Sequence, residues 1–152
     1  MKVKDLMSRQ VLTIGPTDSC LEAVSRMHRA SVRHLPVVNQ EGMLVGIVTD
    51  RDLRHHLFLP RVFEALGQTS VEGLLKAAPV AGIMSRSVIS VPPEAELSEA
   101  ARVMMMERIG SLPVVERGLV VGIVTETDLL RQICRADAGC SPECAEIIVS
   151  YP

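Results

Sequence analysis

Two four-residue stretches have the residue types and spacing for ligand chemistry: Thr49-Asp50-Arg51-Asp52 and Thr125-Glu126-Thr127-Asp128. A carboxylate has two oxygens and can accept from two adjacent sugar hydroxyls together. Each charged hydrogen bond of that kind is worth about 1.5–3 kcal/mol. A threonine hydroxyl at a helix start can contact a sugar or a phosphate. The free N–H groups and the dipole of such a helix start favour an anion. Arg51 adds a planar cation suited to phosphate oxygens. The same spacing also has a plainer reading. Thr-x-x-Asp is close to a capping box, in which the threonine caps the helix and an acidic residue three positions on reaches back. Capping alone would account for both pairs without a ligand. The two roles are compatible, because a helix start is itself an anion site.

The elements that must position these stretches occur twice. Met7-Ser8-Arg9 matches Met84-Ser85-Arg86, Pro16 matches Pro93, Glu22-Ala23 matches Glu99-Ala100, and Leu35-Pro36-Val37-Val38 matches Leu112-Pro113-Val114-Val115, all at an offset of 77 (Val3 to Val80). One residue is then lost in a turn. Val45-Gly46-Ile47-Val48-Thr49 matches Val121-Gly122-Ile123-Val124-Thr125 at an offset of 76 (Gly46 to Gly122). A repeat in this order marks an internal duplication.

Each copy opens with a β-rich run, Val11 to Ile14 or Val88 to Val91. A helix follows. Ser19 is its expected N-cap in the first copy, with Ala23, Val24 and Met27 at helical spacing. The second helix spans roughly 97–108, with Ala100, Ala101, Met104 and Met105 expected on its inner side. Two strands come next, across Asn39-Gln40-Glu41-Gly42 or the shorter Glu116-Arg117-Gly118. A glycine near each turn's end can supply a positive φ. The last short helix begins after Thr49 or Thr125.

A unit of about 55 residues buries too little surface to be comfortable alone. Two copies packed sheet to sheet would share a core, and the apolar run Val45-Gly46-Ile47-Val48 reads as buried on both faces. The expected fold is therefore mixed α/β, two β-α-β-β-α units with pseudo-twofold symmetry. The expected divisions are 1–58, a helical linker at 59–79 packed on the pair, 80–134, and a tail at 135–152. In the linker, Val62, Phe63 and Leu66, then Val71, Leu74 and Leu75, mark helices broken near 67–70.

Composition narrows the classes of function. The net charge is −2 and aromatic residues make up 2% of 152 residues, so neither a basic stripe nor a stacking platform for nucleic acid is expected. No run of about 18 apolar residues spans a membrane, and the N-terminus lacks a signal-peptide stretch, so a cytoplasmic protein with reduced thiols is expected. Gly-x-Ser-x-Gly, His-Glu-x-x-His and phosphate-loop signatures are missing. Asp50 and Asp52, two apart on a helix, make a poor acid/base pair. No enzyme is expected.

The order Met-Ser, Pro, helix, Leu-Pro-Val-Val, then Val-Gly-Ile-Val-Thr-x-x-Asp-Leu resembles the CBS domain. Occurring twice, over about 3–54 and 80–131, it resembles a CBS pair, or Bateman module. The repeats with their helical insert are also similar to the CBS half of acetoin-utilisation regulatory proteins. The resemblance reverses the balance between capping and ligand binding. It implies a non-catalytic regulatory module that binds AMP, ADP, ATP or S-adenosylmethionine as a regulatory ligand. The ligand would lie in clefts between the repeats, marked by Thr-x-x-Asp.

Each cleft, by the same resemblance, combines one repeat's Thr-x-x-Asp with strand residues of the other. One would hold Thr49, Arg51, Asp52 and Ser111. The other would hold Thr125, Asp128, Arg33 and His34. The adenine would lie among aliphatic side chains, its edge read by backbone groups near Leu12, Thr13 and Ile14, or near Ile89, Ser90 and Val91. With a cation in each, both clefts are expected to accept a phosphorylated ligand with unequal affinity. Glu126 would repel phosphate if it faced the second. A homodimer built through exposed helices is implied as well.

Two rival classes stand beside this one. The first is a structural dimerisation module with empty clefts. The second is a metal- or redox-responsive protein using Cys134, Cys140 and Cys144, although these spacings are looser than structural zinc requires. No bound metal or nucleic-acid partner is expected. His55-His56 with Arg51 and Arg54 reads as the basic end of a helix. Met104-Met105-Met106 reads as adaptable core or dimer surface.

Overall fold

The computed structural model describes residues 1–57 and 70–136. The elements run α1 (Val3–Leu6), α2 (Cys20–Ala30), β1 (His34–Val38), β2 (Leu44–Thr49), α3 (Asp50–Leu57), α4 (Val71–Ala77), a 3₁₀ turn (Val80–Gly82), α5 (Leu97–Glu107), β3 (Ser111–Glu116), β4 (Leu119–Thr125) and α6 (Glu126–Ala136).

The long helices start and stop for local reasons. Ser19 Oγ accepts from the Glu22 amide at 3.2 Å and caps α2. Both α2 and α5 end on a left-handed residue, Ser31 (φ 53°) and Arg108 (φ 55°), at equivalent places in the two copies. Ala23 and Met27, one turn apart, face inward from α2; Ala100 and Met104 do so from α5. The expected inner face of α5 was one residue too wide. Met105 lies a further 100° around the helix and is 79% exposed. In the linker, Ser70 Oγ caps α4 by accepting from Gly73, and Leu75 is buried where α4 packs on α2. The linker apolar residues Val62, Phe63 and Leu66 lie outside the described residues.

Each copy holds an antiparallel hairpin. In β1–β2, Leu35 faces Val48; in β3–β4, Leu112 faces Val124. The first turn is organised by Asn39, whose Oδ1 accepts from the Glu41 and Met43 amides, and it closes on Gly42 (φ 79°). The shorter second turn places both Arg117 and Gly118 at positive φ, which suits the twist of a two-residue hairpin.

The β-rich opening runs do not form full strands. Each adds a single parallel bridge: Ile14 donates to the Pro36 carbonyl and accepts from Val38, and Val91 does the same with Pro113 and Val115. Pairing stops there because Gly15 donates to Asp18 Oδ2 and the prolines that follow, Pro16, Pro92 and Pro93, have no N–H to give. That bridge covers the free edge of β1 and β3, so these two strands carry the unbroken buried runs 35–37 and 111–114. In β2, expected to be buried on both faces, Val45 and Ile47 are only half-buried.

The copies exchange their N-terminal segments. Ser8 pairs with Ile123 of β4 through two hydrogen bonds, 2.9 and 3.0 Å; Ser85 pairs with Ile47 of β2 through two of the same lengths. Val3 and Met7 consequently belong to the core of the second copy, with Val91, Ala100, Met104 and Leu112. Val80 and Met84 belong to the core of the first, with Ile14, Ala23, Leu35 and Leu53. Lys2 and Lys4 both reach Glu94 across this junction, at 2.7 and 2.8 Å. The hairpin turns also meet, the Leu44 amide donating to the Gly118 carbonyl. The result is the pseudo-twofold pair of mixed α/β repeats.

Candidate ligand-binding clefts

The two Thr-x-x-Asp stretches fold into nearly identical caps. Thr49 opens α3: its amide and hydroxyl both donate to Asp52 Oδ2, at 2.8 and 2.7 Å, and its Oγ1 accepts from the Asp52 amide at 3.2 Å. Thr125 and Asp128 repeat this at 2.9, 2.7 and 3.3 Å at the start of α6. The capping reading is thus realised in both copies. It occupies one carboxylate oxygen and leaves the other. Asp52 Oδ1 has no protein donor among the described residues, and Asp128 Oδ1 has only Arg131 at 3.8 Å.

The seam between the repeats runs past these caps. His34 is the register partner of Thr49, and Ser111 that of Thr125. A methyl group built on Gly110 would lie 3.5 Å from His34 Nε2 and 3.3 Å from Glu126 Oε2. His34 of the first repeat and the Glu126 carboxylate of the second therefore converge on one bare patch of backbone. Burial, with Arg33 beside it, holds His34 below its ordinary value of 6.5, against the opposing pull of Glu126, Asp52 and Asp50. It is neutral near pH 7.

Sequence reasoning grouped His34 with Thr125 and Asp128. The structure brings it to Glu126 and Gly110, and also sets it opposite Thr49, so it serves the seam rather than one cleft. Arg33, grouped with the same cleft, instead lines an outer hollow of about 300 Å³ with Val24, Asp50 and Leu53 of its own repeat. Ser111 is buried in β3. Arg51 is exposed on the first turn of α3 and makes no ion pair among the described residues.

The backbone groups expected to read a base are not equally available. The amides and carbonyls of Ile14 and Val91 are engaged with β1 and β3, a consequence of the single bridges. The Thr13 carbonyl accepts from Arg26 at 2.7 Å. The Thr13 amide and the Ser90 amide and carbonyl have no partner among the described residues, and Leu12 and Ile89 are exposed beside them. Thr13, Ile14 and Arg26 line a shallow hollow of about 360 Å³. Arg26 was not singled out from sequence, and Gly110 stood out there only as the counterpart of Arg33. Arg26 carried a weak signal, standing at i+4 from Glu22, with which it pairs at 2.7 Å.

Among the described residues no cluster of His, Cys, Asp or Glu could hold a metal, and no helix is long and apolar enough to cross a membrane. Cys134 is exposed on α6, while Cys140 and Cys144 lie outside the described residues.

A duplicated mixed α/β module, with exchanged N-terminal segments and a capped helix start from each half beside the seam, is the class that fold and site define. Residues 3–59 and 80–135 each match the CBS domain, and the chain belongs to that family as a tandem pair. The CBS domain-containing protein YhcV of Bacillus subtilis (strain 168) is 36% identical over 138 residues, 90% of this chain and 89% of that protein. Among solved structures, a protein assigned to acetoin utilization (AcuB) from Vibrio cholerae is 32% identical with a TM-score of 0.71, over 90% of this chain and 92% of that one. The CBS domain pair of protein MJ0100, solved in complex with 5′-methylthioadenosine and S-adenosyl-L-methionine, is 30% identical with a TM-score of 0.72, over 90% and 98%.

Proposed function

We propose that the chain is a non-catalytic regulatory module that binds adenosine compounds (AMP, ADP, ATP or S-adenosylmethionine) in the clefts beside the two Thr-x-x-Asp caps. The observation that carries this reading is the half-used carboxylate. Each cap holds an aspartate in place through Oδ2 and leaves Oδ1 for a ribose hydroxyl. The caps thus preorganise the acceptor, which lowers the cost of ordering it on binding. The MJ0100 pair, which is in complex with two adenosine compounds, supports the ligand class.

The ligand acts as a signal by binding one arrangement of the repeats, or of a dimer, better than another. Met105 and Met106 on α5, with Leu130 and Ile133 on α6, are exposed, and a second copy would bury them. The module works in the cytoplasm.

Calorimetric titration with AMP, ADP, ATP and S-adenosylmethionine tests the reading. Asp52→Asn and Asp128→Asn keep an oxygen for the cap but remove the charge. At least one compound should bind, and one or both variants should weaken it by tenfold or more, the equivalent of about 1.4 kcal/mol. No heat with any of the four would move the reading to a dimerisation module with empty clefts.

A further inference from the structure

The two helix starts differ in charge. At α3, Asp50 is paired with Arg54 at 2.5 Å, and Arg51 is left exposed with no ion pair among the described residues. At α6 the equivalents are Glu126, Leu130 and Thr127. Leu130 cannot pair with Glu126 one turn back, and Thr127 brings no cation. The Glu126 carboxylate is also aimed: Oε2 lies against Gly110, at the seam, beside His34. His34 is neutral near pH 7 and does not offset it. Arg33 lines the outer hollow of the first repeat, and Arg131 stands 3.8 Å from Asp128.

We infer that the two clefts select different adenosine compounds, a phosphorylated one at the α3 start and one without phosphate at the α6 start, with Glu126 as the selecting residue. The inference rests on the adenosine reading above. At α3 the Asp50 and Asp52 amides are taken by the Arg33 carbonyl and by Thr49 Oγ1, so a phosphate meets the Arg51 amide and the Arg51 guanidinium, which binds phosphate oxygens through paired N–H donors. At α6 the Thr127 amide is left in the same way, but no cation accompanies it, and a phosphate would face the like charge of the exposed Glu126 carboxylate turned toward Gly110. An uncharged thioether in the 5′ position meets no such penalty. The same duplication therefore yields two sensors of different specificity from a change of three side chains.

Calorimetry on the full chain with AMP and with 5′-methylthioadenosine, singly and then each after saturation with the other, tests the inference. AMP should bind with one equivalent, and saturation with AMP should leave one equivalent of 5′-methylthioadenosine binding intact. Arg51→Gln should weaken AMP by about tenfold or more and leave 5′-methylthioadenosine unchanged. Glu126→Gln should open a second AMP equivalent. Thr127→Arg, at an exposed position, should do the same, and it covers the case in which Glu126→Gln disturbs folding. Two AMP equivalents in wild type, failure of 5′-methylthioadenosine to bind after saturation with AMP, or one AMP equivalent in wild type and in both α6 variants would overturn the assignment while leaving the adenosine reading in place. Binding of neither compound would overturn both.

Discussion

At the scale of the residue, His34 lies half-buried between carboxylates of both repeats, yet desolvation and Arg33 keep it below its ordinary value. The folded state then binds fewer protons than the unfolded chain as pH falls below 6.5, so stability drops through that window and levels off once the folded His34 is itself protonated. Above 6.5 the contribution is fully present. Urea midpoints at pH 7.5, 6.5 and 5.5 should therefore fall more steeply for the wild type than for His34→Gln; parallel slopes would remove His34 from the account. What was legible at this scale was local. Thr49 with Asp52, and Thr125 with Asp128, follow from a three-residue spacing that a helix start enforces. The sharing of Oδ2, the engagement of the Thr13 carbonyl by Arg26 and the convergence of His34 and Glu126 on Gly110 depend on elements far apart in the chain. No spacing encodes them.

At the scale of the element, Gly46 and Gly122 show how a strand pattern conceals its reason. Each sits in an apolar strand, and alternation alone gives no cause for a missing side chain. The cause is the exchanged segment laid across it. A methyl group on Gly122 would approach the Ser8 carbonyl to 3.2 Å, and one on Gly46 the Ser85 carbonyl to 3.1 Å and Met84 Sδ to 2.5 Å. The methionine can swing aside; the backbone, held by two hydrogen bonds, cannot. Gly122→Ala should cost about 1–3 kcal/mol through overpacking and loosen the N-terminal segment. Gly82→Ala, with nothing within 4 Å of the new methyl, serves as the control and should be near neutral. Equal losses from the two substitutions, read from urea unfolding, would contradict this packing argument. The hairpins and helices were legible because their turn residues and apolar periods are local. The opening strands were over-read because β-rich composition says nothing about which amides remain after the prolines and the Gly15–Asp18 bond are counted.

At the scale of the molecule, duplication has been turned into interdependence. The first repeat's core is completed by Val80 and Met84, the second's by Val3 and Met7, so neither repeat as written in the sequence contains all of its own interior. A repeat of this size is marginal even with its core complete. Removing Val3 and Met7 from the second core, or Leu75, Val80 and Met84 from the first, with two β-bridge hydrogen bonds in each case, takes away several kcal/mol, comparable to the whole stability of a small domain. Chains spanning 1–69 and 70–152, made separately, should each lack a cooperative thermal transition. Mixed, they should form a one-to-one complex whose transition returns, because Met7 and Met84 then find the sheets they cover. The clefts should return with it, since His34 and Glu126 meet only across the joined repeats. A fragment that melted cooperatively on its own would show that the exchanged segments are an embellishment of two self-sufficient domains. A signal read at the seam would then have to travel by some route other than the shared cores.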